Sequence, residues 1–180
     1  MYVGLSWVGV GGGGRGVGIE GTIPSTALFL AAYVLLRPHS MPGGKWHSFW
    51  SPYALYGKVD TVYGVEAYEG KEGWNQTQAT LNLVEVFLNF VVLSRSFGRP
   101  TSWRTLALVV NLMTLYKTII YFLLEFNENM RHVRSFHNGD FVELITLYIL
   151  PNGVWILMPA ICTTYLYQTI SRSTQNIKQS

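Results

Sequence analysis

Charge is the scarcest commodity in this sequence. Of 180 residues only 13% are Asp, Glu, Lys or Arg, whereas 49% are hydrophobic. An average soluble domain carries roughly a quarter charged residues. A chain of this length cannot build a core large enough to hide that much apolar surface, so its solvent is expected to include lipid. Cysteine is nearly absent. The lone Cys162 excludes an intrachain disulfide and any cysteine-based zinc site, and it sits in an apolar run as an inert, membrane-buried thiol would. The net charge of +3 is spread along the chain. No basic patch gathers to neutralise a phosphate backbone, which argues against nucleic acid as a partner.

The first 22 residues include VGVGGGGRGVG, too rich in glycine for a stable helix and without the charged start of a secretory signal. A phosphate-binding glycine loop would need a strand before it and a helix with a P-loop lysine after it, and neither pattern is present. Residues 1–22 therefore read as a flexible segment, and a mis-assigned gene start would also explain them.

Four apolar segments follow, which predicts an all-α, polytopic membrane bundle over residues 23–170. The first, at about 23–37, contains IPSTALFLAAYVLL and spans roughly 21 Å as a helix, short of the roughly 30 Å core of a bilayer. The others lie at about 77–94, 105–126 and 141–170, the last interrupted by Pro151 and Pro159. Interior prolines are tolerated in membrane helices when neighbours satisfy the freed carbonyls. The intervening residues 37–76 carry Pro and Gly clusters that read as loop, and the aromatic stretch SFWSPYALYGKVDTVYG reads as interfacial. Residues 171–180 form a polar tail. The tight SRSFGRPTSWR turn favours the cytoplasm for the side that also holds both termini. Asn75-Gln76-Thr77 fits a glycosylation acceptor but stands close to a span.

Three of the segments carry polar stripes. Gln78, Asn82, Glu85 and Asn89 recur at i, i+4, i+7 and i+11, one helical face within an otherwise apolar run. A carboxylate there costs a few kcal/mol on insertion scales, so it should face protein or a cavity. Packing glue between helices is the competing reading, although such glue uses amides and hydroxyls and needs no acid. On the next segment Asn111, Thr114, Thr118, Tyr121 and Glu125 share a face, with Glu125 at the helix end, where solvation is expected. Lys117 lies in the same segment and can either pair with an acid or snorkel to the surface. On the last, Tyr148, Asn152 and Trp155 share a face between the two prolines. Three stripes converging on a centre would line a chamber for a hydrophobic ligand that carries or develops positive charge, stabilised by the acid and an aromatic face.

These residues resemble the emopamil-binding protein family, the sterol Δ8–Δ7 isomerases that carry the EXPERA domain. FWSPYALYGKVDTVY is similar to the family's W-x-x-YA-x-x-D-x-RY segment, with Thr61-Val62 in place of the usual Ser-Arg. LNLVEVF places Glu85 at the family's membrane glutamate. LYKTIIYFLLE resembles IYGDVLYFLTE, with Lys117 and Thr118 replacing Gly-Asp. HNGDFVELITLYILPNGVWILMPA resembles the final span, including the pair Asn152 and Trp155 and the following Pro159. The family's His-x-x-x-Glu-Gly motif on an earlier helix is not intact. One alignment puts Ala27 and Ala31 at its His and Glu positions, and another keeps Glu20 but puts Gly16 where His belongs.

The resemblance implies a multi-pass protein of the endoplasmic reticulum membrane that shifts a sterol ring double bond by protonation, a carbocation and deprotonation, without a cofactor. Glu85, Asn152 and Trp155 would be the catalytic residues, and Asn82, Asn89, Tyr116, Thr118, Tyr121 and Tyr148 would contact the substrate. The missing histidine keeps an alternative open: a non-catalytic protein that binds sterols or cationic amphiphilic drugs, like the sigma-2 receptor branch, or a decayed paralogue. A homodimer is compatible with either.

Overall fold

The computed structural model describes residues 25–96 and 102–179. The glycine-rich start, the Glu20 alternative and the centre of the SRSFGRPTSWR turn lie outside those residues. The described chain is helical: α1 (Ser25–Leu35), α2 (His47–Val59), a 3-10 turn (Thr61–Tyr63), α3 (Val65–Glu69), α4 (Gly73–Ser96), α5 (Ser102–Asn127), α6 (Arg134–Asn138), α7 (Phe141–Glu143), a π-helical stretch (Leu144–Ile149) and α8 (Leu150–Gln179). Among the described residues the extended structure is one isolated antiparallel bridge, between Asp60 and Val133.

Among the described residues three helices are long and apolar enough to cross a bilayer: Gly73–Ser96, Trp103–Asn127 and the continuous rod Phe141–Asn176. Their lipid-facing sides carry bare hydrophobic side chains, such as Phe87 at 66% exposed and Phe126 at 76%. A monomer in water would not leave such a surface uncovered, so the chain is a multi-pass membrane protein. The expected fourth span is visible only as α1, whose 11 residues reach about 16 Å. It packs along α4, where the small, fully buried Ala31 and Ala79 let the two helices approach closely. α5 packs between α4 and α8. The polar tail is not a separate element, because the α8 helix continues through Ser171 to Gln179. The 36 residues of the last rod would reach about 54 Å, which leaves its polar end room to project beyond the hydrocarbon.

The wide π turns just before Pro151 have a local cause. Proline has no N–H to continue the α ladder and its ring crowds the carbonyl four residues back, and the Leu150 N–H bonds instead to the Ile145 carbonyl, five residues away.

Within residues 37–76, whose Pro and Gly clusters read as loop and whose aromatic stretch reads as interfacial, residues 37–46 form turns and residues 47–69 fold as α2, the 3-10 turn and α3. Pro52 within α2 cannot bond the Ser48 carbonyl, and the Ser51 hydroxyl donates to it instead (3.0 Å). Trp50, Val62 and Tyr63 are buried against Tyr33 and Val34 of α1, so this aromatic stretch builds core as well as surface. Ser40 donates to the Tyr33 carbonyl (2.7 Å) at the end of α1, and the Tyr33 hydroxyl donates to the Tyr63 carbonyl (3.1 Å). Asn75, the glycosylation candidate, is fully buried and donates through Nδ2 to the Val62 carbonyl (2.6 Å). A glycosyltransferase could not reach that nitrogen in the folded chain.

Candidate functional site

A cavity of about 110 Å³ opens between the helices. Gln78 and Asn82 reach it from α4, and Thr114, Lys117, Thr118 and Tyr121 from α5. Pro151, Asn152 and Trp155 close it from α8, and Leu30 from α1. Tyr53, Tyr56 and Tyr63 form the remaining wall. The three stripes therefore do meet, and Asn82, Thr118, Tyr121, Asn152 and Trp155 all line one chamber. Asn152 also donates to the Tyr148 carbonyl of its own helix (2.9 Å), which holds the amide in place.

Four expected site residues are placed otherwise. Glu85 is buried but does not line the cavity. It accepts from Lys117 Nζ (2.8 Å) and from the Thr114 hydroxyl (3.0 Å), and Lys117 also donates to Asn82 Oδ1. The side chains of Lys117 and Glu85 are only 11% and 8% exposed. Of the two fates open to Lys117, the chain takes pairing. With both side chains this buried, each charge is the other's nearest compensation. Asn89 is half-buried on α4 and is not a lining residue. Tyr116 is 68% exposed on the outer face of α5, two residues from both Thr114 and Thr118 and so opposite the polar stripe, and faces lipid. Tyr148 is buried among Tyr121 and Phe122 and supports the chamber from behind.

Glu125 departs furthest from expectation. Its side chain is fully buried, not solvated. After α5 the chain reverses through Asn129 and Met130, both in the left-handed region (φ 56° each). The reversal brings His132 over the carboxylate, so that the His132 backbone N–H donates to Glu125 Oε2 (3.2 Å) and its ring Nδ1 lies 2.8 Å from Oε1. The other ring nitrogen is 3.4 Å from Glu72. A histidine is thus returned to the bundle, at its end and not in the chamber.

Asp60 is the residue that sequence reasoning missed most clearly. It is fully buried, and its Oδ2 accepts from the hydroxyls of Tyr121 (2.6 Å) and Tyr56 (3.2 Å), two residues of the chamber wall. Burial pushes its carboxyl up to about 7; the Tyr121 hydrogen bond opposes the rise and the nearby Glu125 charge adds to it. A signal was present: Tyr53, Tyr56 and Asp60 fall at i, i+3 and i+7, one helical face, within a stretch whose Pro and Gly residues read as loop. Beside this wall Arg37 is buried between the rings of Tyr33 and Tyr68, at 5.9 and 5.8 Å, and burial lowers its affinity for its proton. Among the described residues no group of three His, Cys, Asp or Glu side chains is placed to hold a metal ion.

The chamber can therefore enclose an apolar body, stack it on aromatic rings and hydrogen-bond one polar end. Its walls present amides, hydroxyls and an ammonium, while the carboxylates of Glu85 and Asp60 stand behind those walls, engaged by Lys117 and by the Tyr56 and Tyr121 hydroxyls. No family model, curated protein or solved structure matches the chain.

Proposed function

We propose that this is a multi-pass protein of the endoplasmic reticulum membrane, of the emopamil-binding type. α1 and the three long helices would together form a four-helix bundle whose chamber binds a sterol or another hydrophobic ligand without isomerising it. The observation that carries this reading is the ion pair between Lys117 and Glu85. A carboxylate that is to stabilise a ring carbocation, or to pass a proton to an alkene, must face the ligand. Glu85 instead spends its charge on a lysine of the neighbouring helix, and Lys117 stands between it and the chamber. Ala31, at one of the positions where the resemblance would put the first-helix glutamate, is a fully buried methyl group packed towards α4. A cationic amphiphile entering the chamber would meet an ammonium first. A sterol-binding protein and a paralogue that has lost turnover fit this arrangement equally.

One observation favours the second reading, sterol Δ8–Δ7 isomerisation: Asn152 and Trp155 line the chamber together, as the resemblance implies for the catalytic pair. In that reading Glu85→Gln abolishes turnover while the protein still inserts. The test is to incubate the purified protein, reconstituted in lipid nanodiscs, with a Δ8 sterol, and to follow saturable binding and the product spectrum by mass spectrometry. Binding without a Δ7 product supports the first reading, and a Δ7 product above the empty-nanodisc control overturns it in favour of the second. No saturable binding and no product would remove both.

A further inference from the structure

The charges at the chamber wall balance, and that balance specifies a ligand class. Among the described residues Lys117 is the one formally charged side chain lining the cavity, and Glu85 compensates it from behind at 2.8 Å. An ammonium carries three N–H donors. Two of them are committed, to Glu85 Oε2 and Asn82 Oδ1, and the third belongs to a group that lines the cavity. Around it stand the neutral groups Gln78, Thr114 and Thr118, while the next carboxyl, Asp60, is covered by the Tyr56 and Tyr121 hydroxyls.

We infer, on the basis of the binding reading above, that the chamber selects an uncharged hydrophobic ligand whose single polar end is a hydrogen-bond acceptor, a ketone or hydroxyl oxygen received by Lys117. In a low-dielectric site an added ion must be compensated locally. A cationic head would lie against the ammonium, with Glu85 already engaged by Lys117 and Asp60 behind the Tyr56 and Tyr121 hydroxyls. An anionic head would gain Lys117 but leave Glu85 uncompensated. A neutral acceptor takes the spare donor and disturbs neither charge. The same reasoning makes the selectivity programmable: removing either member of the pair leaves a net charge that the ligand must then supply.

The experiment uses three probes that share one skeleton: a sterol 3-ketone, the corresponding 3-amine and the corresponding 3-sulfate. Each is titrated against the full-length protein in phosphatidylcholine nanodiscs by competition with a radiolabelled photoreactive sterol. The wild type is expected to bind the ketone at least tenfold more tightly than either ion. Lys117→Met should shift preference towards the amine by tenfold or more, Glu85→Gln should shift it towards the sulfate, and the double variant, neutral again, should restore the preference for the ketone over both ions, at a lower affinity than the wild type because the Lys117 donor is gone. Equal affinities for the three probes in the wild type, or tightest binding of the amine, would overturn the inference while leaving the binding reading intact. Failure of every probe to compete overturns both. The wild-type comparison and the charge-neutral double variant need no destabilised protein, so misfolding of a single variant cannot shelter the idea.

Discussion

Replacing Lys117 by Met removes the cation from a pair whose members approach to 2.8 Å with side chains only 11% and 8% exposed. At an effective dielectric of about 20 their attraction is about 6 kcal/mol before desolvation is subtracted. What a variant measures is different: the surviving Glu85 keeps only the Thr114 hydroxyl as a partner, and orphaning one member of a buried pair costs about 3–5 kcal/mol. Glu85→Gln should cost less, about 1.5–3 kcal/mol, because the amide oxygen can still accept from Lys117. The double variant Lys117→Met/Glu85→Gln has no charge left to compensate and is expected within about 1 kcal/mol of the wild type. The assay is reversible unfolding in mixed micelles, followed by tryptophan fluorescence, with all four proteins compared as a double-mutant cycle. The coupling energy should be at least about 2 kcal/mol in magnitude. If the two single losses simply add, to within about 0.5 kcal/mol, the side chains do not form the pair on which the proposed function rests.

Asp60→Asn keeps an acceptor for Tyr56 and Tyr121 and removes an ionisable group. The folded protein holds the Asp60 proton to about pH 7, whereas the unfolded chain releases it near 3.8, so the wild type loses stability as pH rises between those values, by up to about 4 kcal/mol. The variant should therefore gain on the wild type across pH 4–7 and hold that gain above it; a difference independent of pH would remove the buried-acid account. His132→Ala strips the ring from the fully buried Glu125 and should destabilise by about 3 kcal/mol, while His137→Ala, at an exposed position, should stay within about 0.5 kcal/mol. Equal effects in a melting experiment would mean that His132 does not cap that carboxylate. Asn75→Ala leaves the buried Val62 carbonyl without its side-chain donor and is expected to lower stability by about 1–3 kcal/mol. In a glycosylating host, wild type and variant should run alike before and after deglycosylation; a glycan at Asn75 would contradict its burial.

By itself the sequence determined the solvent of this protein and the faces of its helices. Both are set by local arithmetic: the scarcity of charge, the lengths of the apolar runs, and the 3.6-residue period that puts Gln78, Asn82 and Glu85, or Thr114, Thr118 and Tyr121, on one side of a rod. That period also separated Asn152 and Trp155 from the lipid-facing residues around them. Tyr116 stands two positions from both Thr114 and Thr118, about 160° round the helix from the stripe, so the same period turns it to lipid; the resemblance, not the period, had assigned it to the chamber. Only the tertiary structure decided which groups meet. Glu85 and Lys117 lie 32 residues apart, and no periodicity within either helix tells whether Lys117 pairs or snorkels; the packing of α4 on α5 does. Glu125 is buried because a chain reversal seven residues long lays His132 over it, and Asp60 because the residue that ends α2 meets Tyr121 of α5, despite a composition that reads as loop. Local pattern fixes where a side chain points along its own helix, whereas its charge state and its chemistry depend on what the neighbouring helix places opposite it. For the carboxylate that opened the search for a site, that partner is a lysine, and it turns a candidate acid into half of a neutral wall.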